Sequence, residues 1–138
     1  MIFVLLDTNV VLDYAGEQEE FSEVAEKVFE TIKRKEMIAC VSASAVTDIF
    51  YFLQKWRKDR DIAMSLLKKL LRHIEVLAVN RQTVEAAIES GMWDFEDAVQ
   101  VAAASDYGIN TVVTRDKKGF TDSGLKVYSP EEFLEALT

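Results

Sequence analysis

The sequence has 138 residues, 49% of them hydrophobic and 29% charged, within the usual range for one globular domain spanning 1–138. Sixteen Lys and Arg against twenty-four Asp and Glu give a net charge of -8, the wrong sign for a generic nucleic-acid binder. No apolar run approaches the ~18 residues that span a bilayer, Met1–Leu6 is too short and uncharged for a secretory signal, and the single Cys40 cannot close an internal disulfide, so a cytoplasmic protein without membrane contact is expected.

In chain order, the continuous apolar run Ile2–Leu6 ends at Asp7-Thr8-Asn9 and reads as a central strand buried on both faces. From Phe21, apolar residues recur at Val24, Ala25, Val28, Phe29 and Ile32 with the spacing of one helical face. Lys33-Arg34-Lys35 closes that helix, as suits its negative end. A short strand over Met37–Val41 takes in Cys40 as a small core hydrophobe. Ser42 or Ser44 then caps a helix carrying Val46, Ile49, Phe50, Leu53 and Trp56, with Asp48 early in it. Beyond Arg57–Arg60, a Leu-rich helix through Leu71 leads to a strand over Ile74–Val79 and a helix around Thr83–Glu89.

Gly91 breaks the pattern, Asp94 is placed to cap a helix to about Asp106, and Gly108 ends it. Thr111–Thr114 is a fourth strand, Lys126–Tyr128 a brief fifth, and Pro130 opens a closing helix. Alternating strands and helices imply an α/β fold, a three-layer α/β/α sandwich with a central parallel sheet, whose ligands bind beyond the carboxyl ends of the strands.

The residues expected there are acidic. Asp7 directly follows the first strand and Asp116 lies two residues past Thr114, so both project from the same sheet edge. Asp94 and Asp97, three apart at a helix start, share one face near its positive end, and Asp48 can reach the same edge. Each alone reads equally as a helix cap or a solvated acid. Gathered together they repel, by about 4 kcal/mol for two carboxylates at ~4 Å and an effective dielectric of ~20, so something must offset them. A hard cation with oxygen ligands does so, and Mg²⁺ or Mn²⁺ suits an all-carboxylate site better than zinc.

Cationic residues placed to meet phosphates are Arg115, Lys117 and Lys118 beside the acids, and more remotely Lys55, Arg57, Lys58 and Arg60, for which a solvated helix end is the plainer reading. Trp56 and Trp93 fit core or subunit-interface packing better than base stacking. His73, the only histidine, reads as a helix-terminal residue, which argues against imidazole-dependent cleavage. A haloacid-dehalogenase-type phosphatase needs a second aspartate where this chain has Asn9, and a receiver domain needs one after the third strand, where there is none.

Leu5-Leu6-Asp7-Thr8-Asn9-Val10, Thr47-Asp48-Ile49, Asp94-Phe95-Glu96-Asp97-Ala98 with Ala102-Ala103 and Gly108, and Val113-Thr114-Arg115-Asp116 ending near Phe120 together resemble the PIN-domain ribonucleases, which include the VapC-type toxins of toxin–antitoxin pairs. The resemblance covers nearly the whole chain. It implies that Asp7, Asp48, Asp97 and Asp116 are the catalytic acids, that Asn9 and Thr114 are polar supports, and that Asp7, Asp97, Asp116 and Asp94 are metal ligands. The second acid of the family is commonly glutamate, so Asp48 is a departure, and Asp94 is an extra acid that leaves the third position open between itself and Asp97. The spacing to Gly108 favours Asp97. The implied activity is metal-dependent hydrolysis of RNA phosphodiesters with Mg²⁺ or Mn²⁺, by one metal or two, in a homodimer blocked by a cognate antitoxin. The rival is the same fold kept as a scaffold that binds protein or RNA with an impaired metal site.

Overall fold

The computed structural model describes residues 2–16 and 19–138. Strand β1 (Ile2–Leu6) leads into helix α1 (Thr8–Ala15), then α2 (Glu19–Lys33), β2 (Met37–Ser42), α3 (Ala43–Arg57), α4 (Arg60–Leu71), β3 (Ile74–Leu77), α5 (Arg81–Glu89), α6 (Phe95–Asp106), β4 (Thr111–Val113), a 3-10 turn over Lys117–Phe120, β5 (Lys126–Tyr128) and α7 (Pro130–Leu137).

All five strands are parallel, in the order β3-β2-β1-β4-β5, with Leu5 opposite both Cys40 and Val112. The pleat sends alternate residues of β1 to opposite faces. Val4 and Leu6 join the core formed with α1, α2, α3, α4 and α7, around Val11, Phe29, Leu53 and Phe133. Leu5 joins the core on the other face, with Val101, Ala104 and Phe120, and α5 packs there on α6 through Ala87, Ala98 and Ala102. This is the three-layer sandwich with a parallel sheet expected from the alternation. The central strand is only half buried: Val4, Leu5 and Leu6 are fully enclosed, whereas Ile2 and Phe3 are 39% and 48% exposed.

Local chemistry sets the element boundaries. Ser42 caps α3 by accepting from the Ala45 N–H, and Asp94 caps α6 by accepting from the Asp97 N–H at 2.9 Å. Ser129 and Glu132 form a reciprocal capping box around Pro130, the first residue of α7. Gly108 adopts φ +72 just beyond α6, a left-handed turn that a side chain resists. Helix α1 was not anticipated, because the contiguous Val10-Val11-Leu12 shows no helical stripe; it is buried along most of its length. Among the described residues no helix is long and apolar enough to cross a membrane.

The strand order places a reversal at the sheet centre. The chain runs from β1 outward through β2 and β3, then returns to the other side of β1 for β4 and β5. The carboxyl ends of β1 and β4 therefore flank the crevice where ligands of such sheets bind.

Candidate metal centre

Asp7 and Asp116 leave the sheet at that crevice. Asp7 is 7% exposed, and its backbone N–H still donates to the Val113 carbonyl of β4. Its side chain caps α1 by accepting from the Thr8 N–H at 2.7 Å, while its second oxygen accepts from the Thr114 hydroxyl at 2.7 Å. The Thr114 oxygen in turn accepts from the Asp116 N–H at 2.9 Å and from the Asn9 carboxamide at 3.4 Å, and the Asn9 carbonyl oxygen accepts from the Arg115 N–H. Thr114 thus fixes the carboxylate after β1 and the loop after β4 with one hydroxyl, and Asn9 braces the same loop. Both residues singled out as polar supports lie between Asp7 and the loop after β4.

Asp94, Asp97 and Asp116 line one hollow of about 360 Å³, with Met92, Trp93, Lys118, Gly119 and Asp122. Asp116 caps the 3-10 turn through the Gly119 N–H at 3.3 Å. Its other oxygen and Oδ2 of Asp97 converge on Gly119, where a Cβ would lie 2.9 and 3.0 Å from them. Glycine keeps this space between the two carboxylates open. Asp48 lies instead in a smaller hollow of about 180 Å³ on the other flank of the first turn of α6, with Ser44, Glu96 and Gln100. Asp48 shares this hollow with Glu96, an acid without an earlier assignment, and is close enough to raise the pKa of Glu96. The carboxylate of Asp48 is one methylene shorter than the glutamate expected in its place, and Glu96 meets it from α6.

Burial and mutual repulsion dominate the electrostatics. Asp97 is pushed up to about 7, first by burial and then by the charges of Asp7, Asp94, Asp116 and Glu96. Burial raises Asp7 despite its hydrogen bonds, and burial together with Asp48 raises Glu96. Among the described residues no lysine or arginine pairs with Asp7 or Asp97. No three acidic, histidine or cysteine side chains among them stand close enough to hold a metal ion as they lie. A hard cation nevertheless suits this donor set: the candidate donors are carboxylate oxygens, Asp7 and Asp97 have no cationic partner among the described residues, and a gap lies open between Asp97 and Asp116.

The cations expected to meet phosphates behave differently from one another. The Arg115 guanidinium makes two hydrogen bonds to Asp13, a buried carboxylate, and stacks 3.8 Å from the centre of the Phe21 ring. Lys117 is held by Glu132 of α7 at 2.8 Å. Lys118 alone of the three lines the acidic hollow. Lys55, Arg57, Lys58 and Arg60 are exposed around the α3–α4 junction, a solvated helix end. Trp56 packs against the core, whereas Trp93 is fully exposed at the rim of the acidic hollow, which excludes core packing for it and leaves an interface open. Cys40 is buried, with its thiol pushed up to about 11 by burial, which fits a core residue. His73 is exposed just after α4 and borders a larger hollow of about 420 Å³ with Tyr14, Lys33, Lys69 and Arg72, at the opposite end of the sheet from the aspartates. Size therefore does not mark the site; the convergence of acids does.

The sequence reading passed over Glu96, Gln100 and Asp13. Gln100 carried a signal, as the one polar side chain in the apolar run Ala98–Ala104, and it is buried near enough to Asp7 to favour the ionised carboxylate. Asp13 carried none, since its partner lies 102 residues away.

Comparison with known proteins agrees with this architecture. The chain is 26% identical over 137 residues to Ribonuclease VapC1 of Aquifex aeolicus, covering 96% of this chain and 93% of that protein. The solved structure of VapBC2 from Rickettsia felis bound to a DNA fragment from their promoter superposes with a TM-score of 0.74 at 15% identity, covering 93% of this chain and 98% of that one. A toxin–antitoxin complex from Klebsiella pneumoniae gives a TM-score of 0.64 at 17% identity, over 92% and 97%. The sequence model of the PIN domain matches residues 3–118, a span that begins in β1 and ends in the 3-10 turn after Asp116, and by that match the chain belongs to the PIN domain family.

Proposed function

We propose that this chain, as a single nuclease domain over 1–138, is a divalent-metal-dependent endoribonuclease and the toxin of a toxin–antitoxin pair. The observation that carries the reading is the gathering of Asp7, Asp97 and Asp116 at the crevice between β1 and β4, with burial and mutual repulsion raising Asp7 and Asp97 and no lysine or arginine paired with either among the described residues. The activity named for the Aquifex relative supports RNA as substrate, and the Klebsiella complex supports an antitoxin as partner. A homodimer and a cytoplasmic setting complete the reading.

Asp7, Asp97 and Asp116 would hold Mg²⁺ or Mn²⁺, with Asp94 and Asp48 at its margin. When bound, such a cation neutralises charge on the scissile phosphate and lowers the pKa of water toward neutrality. The chain supplies the rest. Thr8 and Thr114 fix Asp7 in one orientation. Asp94 spends one oxygen on the α6 cap, which leaves Asp97 the freer of the two as a ligand. Lys118 stands at the rim, where the phosphate backbone of RNA would pass.

A second reading, an impaired scaffold that binds protein or RNA, has one observation in its favour: among the described residues no three carboxylates are poised for coordination as they lie. One experiment separates the two. Purified protein freed of any inhibitor is expected to cleave single-stranded RNA with Mg²⁺ or Mn²⁺ and not in excess EDTA, and Asp7→Asn or Asp97→Asn should each lower cleavage by about 10³-fold or more. Cleavage that survives EDTA and both substitutions refutes the catalytic assignment. A protein that neither cleaves RNA nor binds metal is the scaffold.

A further inference from the structure

Trp93 is fully exposed, more so than any other large apolar side chain among the described residues. Tryptophan is on average a strongly buried residue, and an indole left in water forfeits the largest apolar contact a single side chain can make. Among the described residues no aromatic ring or cation lies against either of its faces.

The residues on either side of it are tied down. Met92 donates its N–H to the Ser90 hydroxyl at 3.2 Å and packs against the apolar clusters around Leu77 and around Ala98. Gly91, at φ +75, turns the chain toward α6, and Asp94 caps that helix through the Asp97 N–H at 2.9 Å. The indole is therefore held outward between two anchored neighbours, so that little backbone freedom is lost when something packs on it.

Its place narrows what that something is. Trp93 lines the hollow of about 360 Å³ that holds Asp97, Asp116 and Lys118, and it is the one aromatic ring in that lining. On the metal-dependent reading the scissile phosphate sits there. A nucleotide joins a charged phosphate to a flat base, and a lysine beside a free indole gives each half a complement. The hollow is at the small end of ligand sites, the scale of one nucleotide. A base inside a duplex has both faces covered, so the ring can stack only on one that is unpaired and turned out. The core of a protein interface is the other use of such a ring, but the exposed carboxylates of Asp94 and Asp122 share its hollow, and interface cores are poor in acids.

We propose that Trp93 is a substrate-binding residue on which an unpaired RNA base stacks next to the cleaved bond, with Lys118 on the adjoining phosphate. This rests on the ribonuclease reading above and adds that the RNA is single-stranded at that position.

The ring packs on no other ring in the chain, so Trp93→Ala should keep the fold and melting temperature, and two measurements test the proposal. The first is cleavage of a short unstructured RNA oligonucleotide with Mg²⁺. Trp93→Ala is expected to raise KM by about tenfold with kcat within about threefold, and Trp93→Phe, which keeps a stacking face, to stay within about threefold of the wild type in both. The second uses ligands with no bond to cleave: adenosine 5′-monophosphate and ribose 5-phosphate are titrated into the protein with Mg²⁺, followed by the amide and indole N–H resonances in NMR. The base should tighten binding by about tenfold in the wild type and by less than about twofold in Trp93→Ala. A base that contributes equally in both proteins overturns the proposal, as does an unchanged KM in Trp93→Ala. If that variant also sediments as a smaller species, the ring belongs to an interface between copies of the chain. A wild type that cleaves no RNA refutes the ribonuclease reading, and the second measurement then decides the stacking site by itself.

Discussion

Asp7 and Asp13 bracket the same short helix, both are buried, and the fold treats them in opposite ways. Asp13, at 1% exposure, is met by the Arg115 guanidinium through two hydrogen bonds, and Phe21 covers the far face of that cation. Asp7 receives only neutral donors among the described residues, the Thr8 N–H and the Thr114 hydroxyl, and burial raises its pKa. An arginine–carboxylate pair in a fixed fork is a brace. A buried carboxylate without one is costly to ionise, and such a group belongs where a cation arrives from outside. Arg115 stands between Thr114 and Asp116, so the brace at one end of α1 also anchors the loop that serves the centre at the other end.

The contrast makes its largest prediction in stability. Asp13→Ala strands the Arg115 charge, and with that side chain 30% exposed the loss should sit near the low end for broken buried pairs, about 3 kcal/mol, or ~10 °C in melting temperature. Asp7→Asn removes a charge that the metal-free protein holds at a cost, so its metal-free melting temperature should stay within ~2 °C of the wild type or rise. Thermal denaturation of both variants decides, and the reverse pattern would break the comparison.

A smaller effect concerns the gap between Asp97 and Asp116. Gly119→Ala places a methyl 3.0 and 2.9 Å from their oxygens, so the carboxylates must rotate apart. We expect Mn²⁺ affinity to fall by about tenfold with the fold retained, measured by titration calorimetry alongside circular dichroism. Unchanged affinity would move the cation away from that gap.

A further effect is in pH. Asp97 carries a folded pKa of about 7 against an ordinary value of 3.8, so the folded chain holds this proton more tightly than the unfolded one. Its contribution to stability is full below the unfolded value and is lost as pH rises through about 7. The melting temperature of the metal-free protein should therefore decline between pH 4 and pH 7 more steeply in the wild type than in Asp97→Asn. Identical slopes would remove Asp97 from the repulsive cluster.

Much of this was legible because strand ends are legible. The apolar run into Asp7 and the Val113-Thr114 run toward Asp116 located two acids on one edge before any coordinates, and the Asp94 cap with Gly108 bounded α6 to within a residue. The unread parts depend on distant encounters. Arg115 beside Asp116 looked like a phosphate contact because sequence shows neighbours along the chain, not the carboxylate that closes on it across 102 positions. Glu96 was invisible for the same reason, its partner Asp48 lying on another helix. Helix α1 was missed because enclosure on most sides erases the periodicity by which helices announce themselves.

The placement of β1 in mid-sheet bears on biosynthesis. Asp7 leaves the ribosome well before the strand that must lie against it and the loop bearing Asp116, both of which follow residue 110. A nascent product that stops short of that loop therefore lacks part of the acidic pocket, and the capacity to harm the translating cell, on the proposed reading, arises only once Asp116 has emerged.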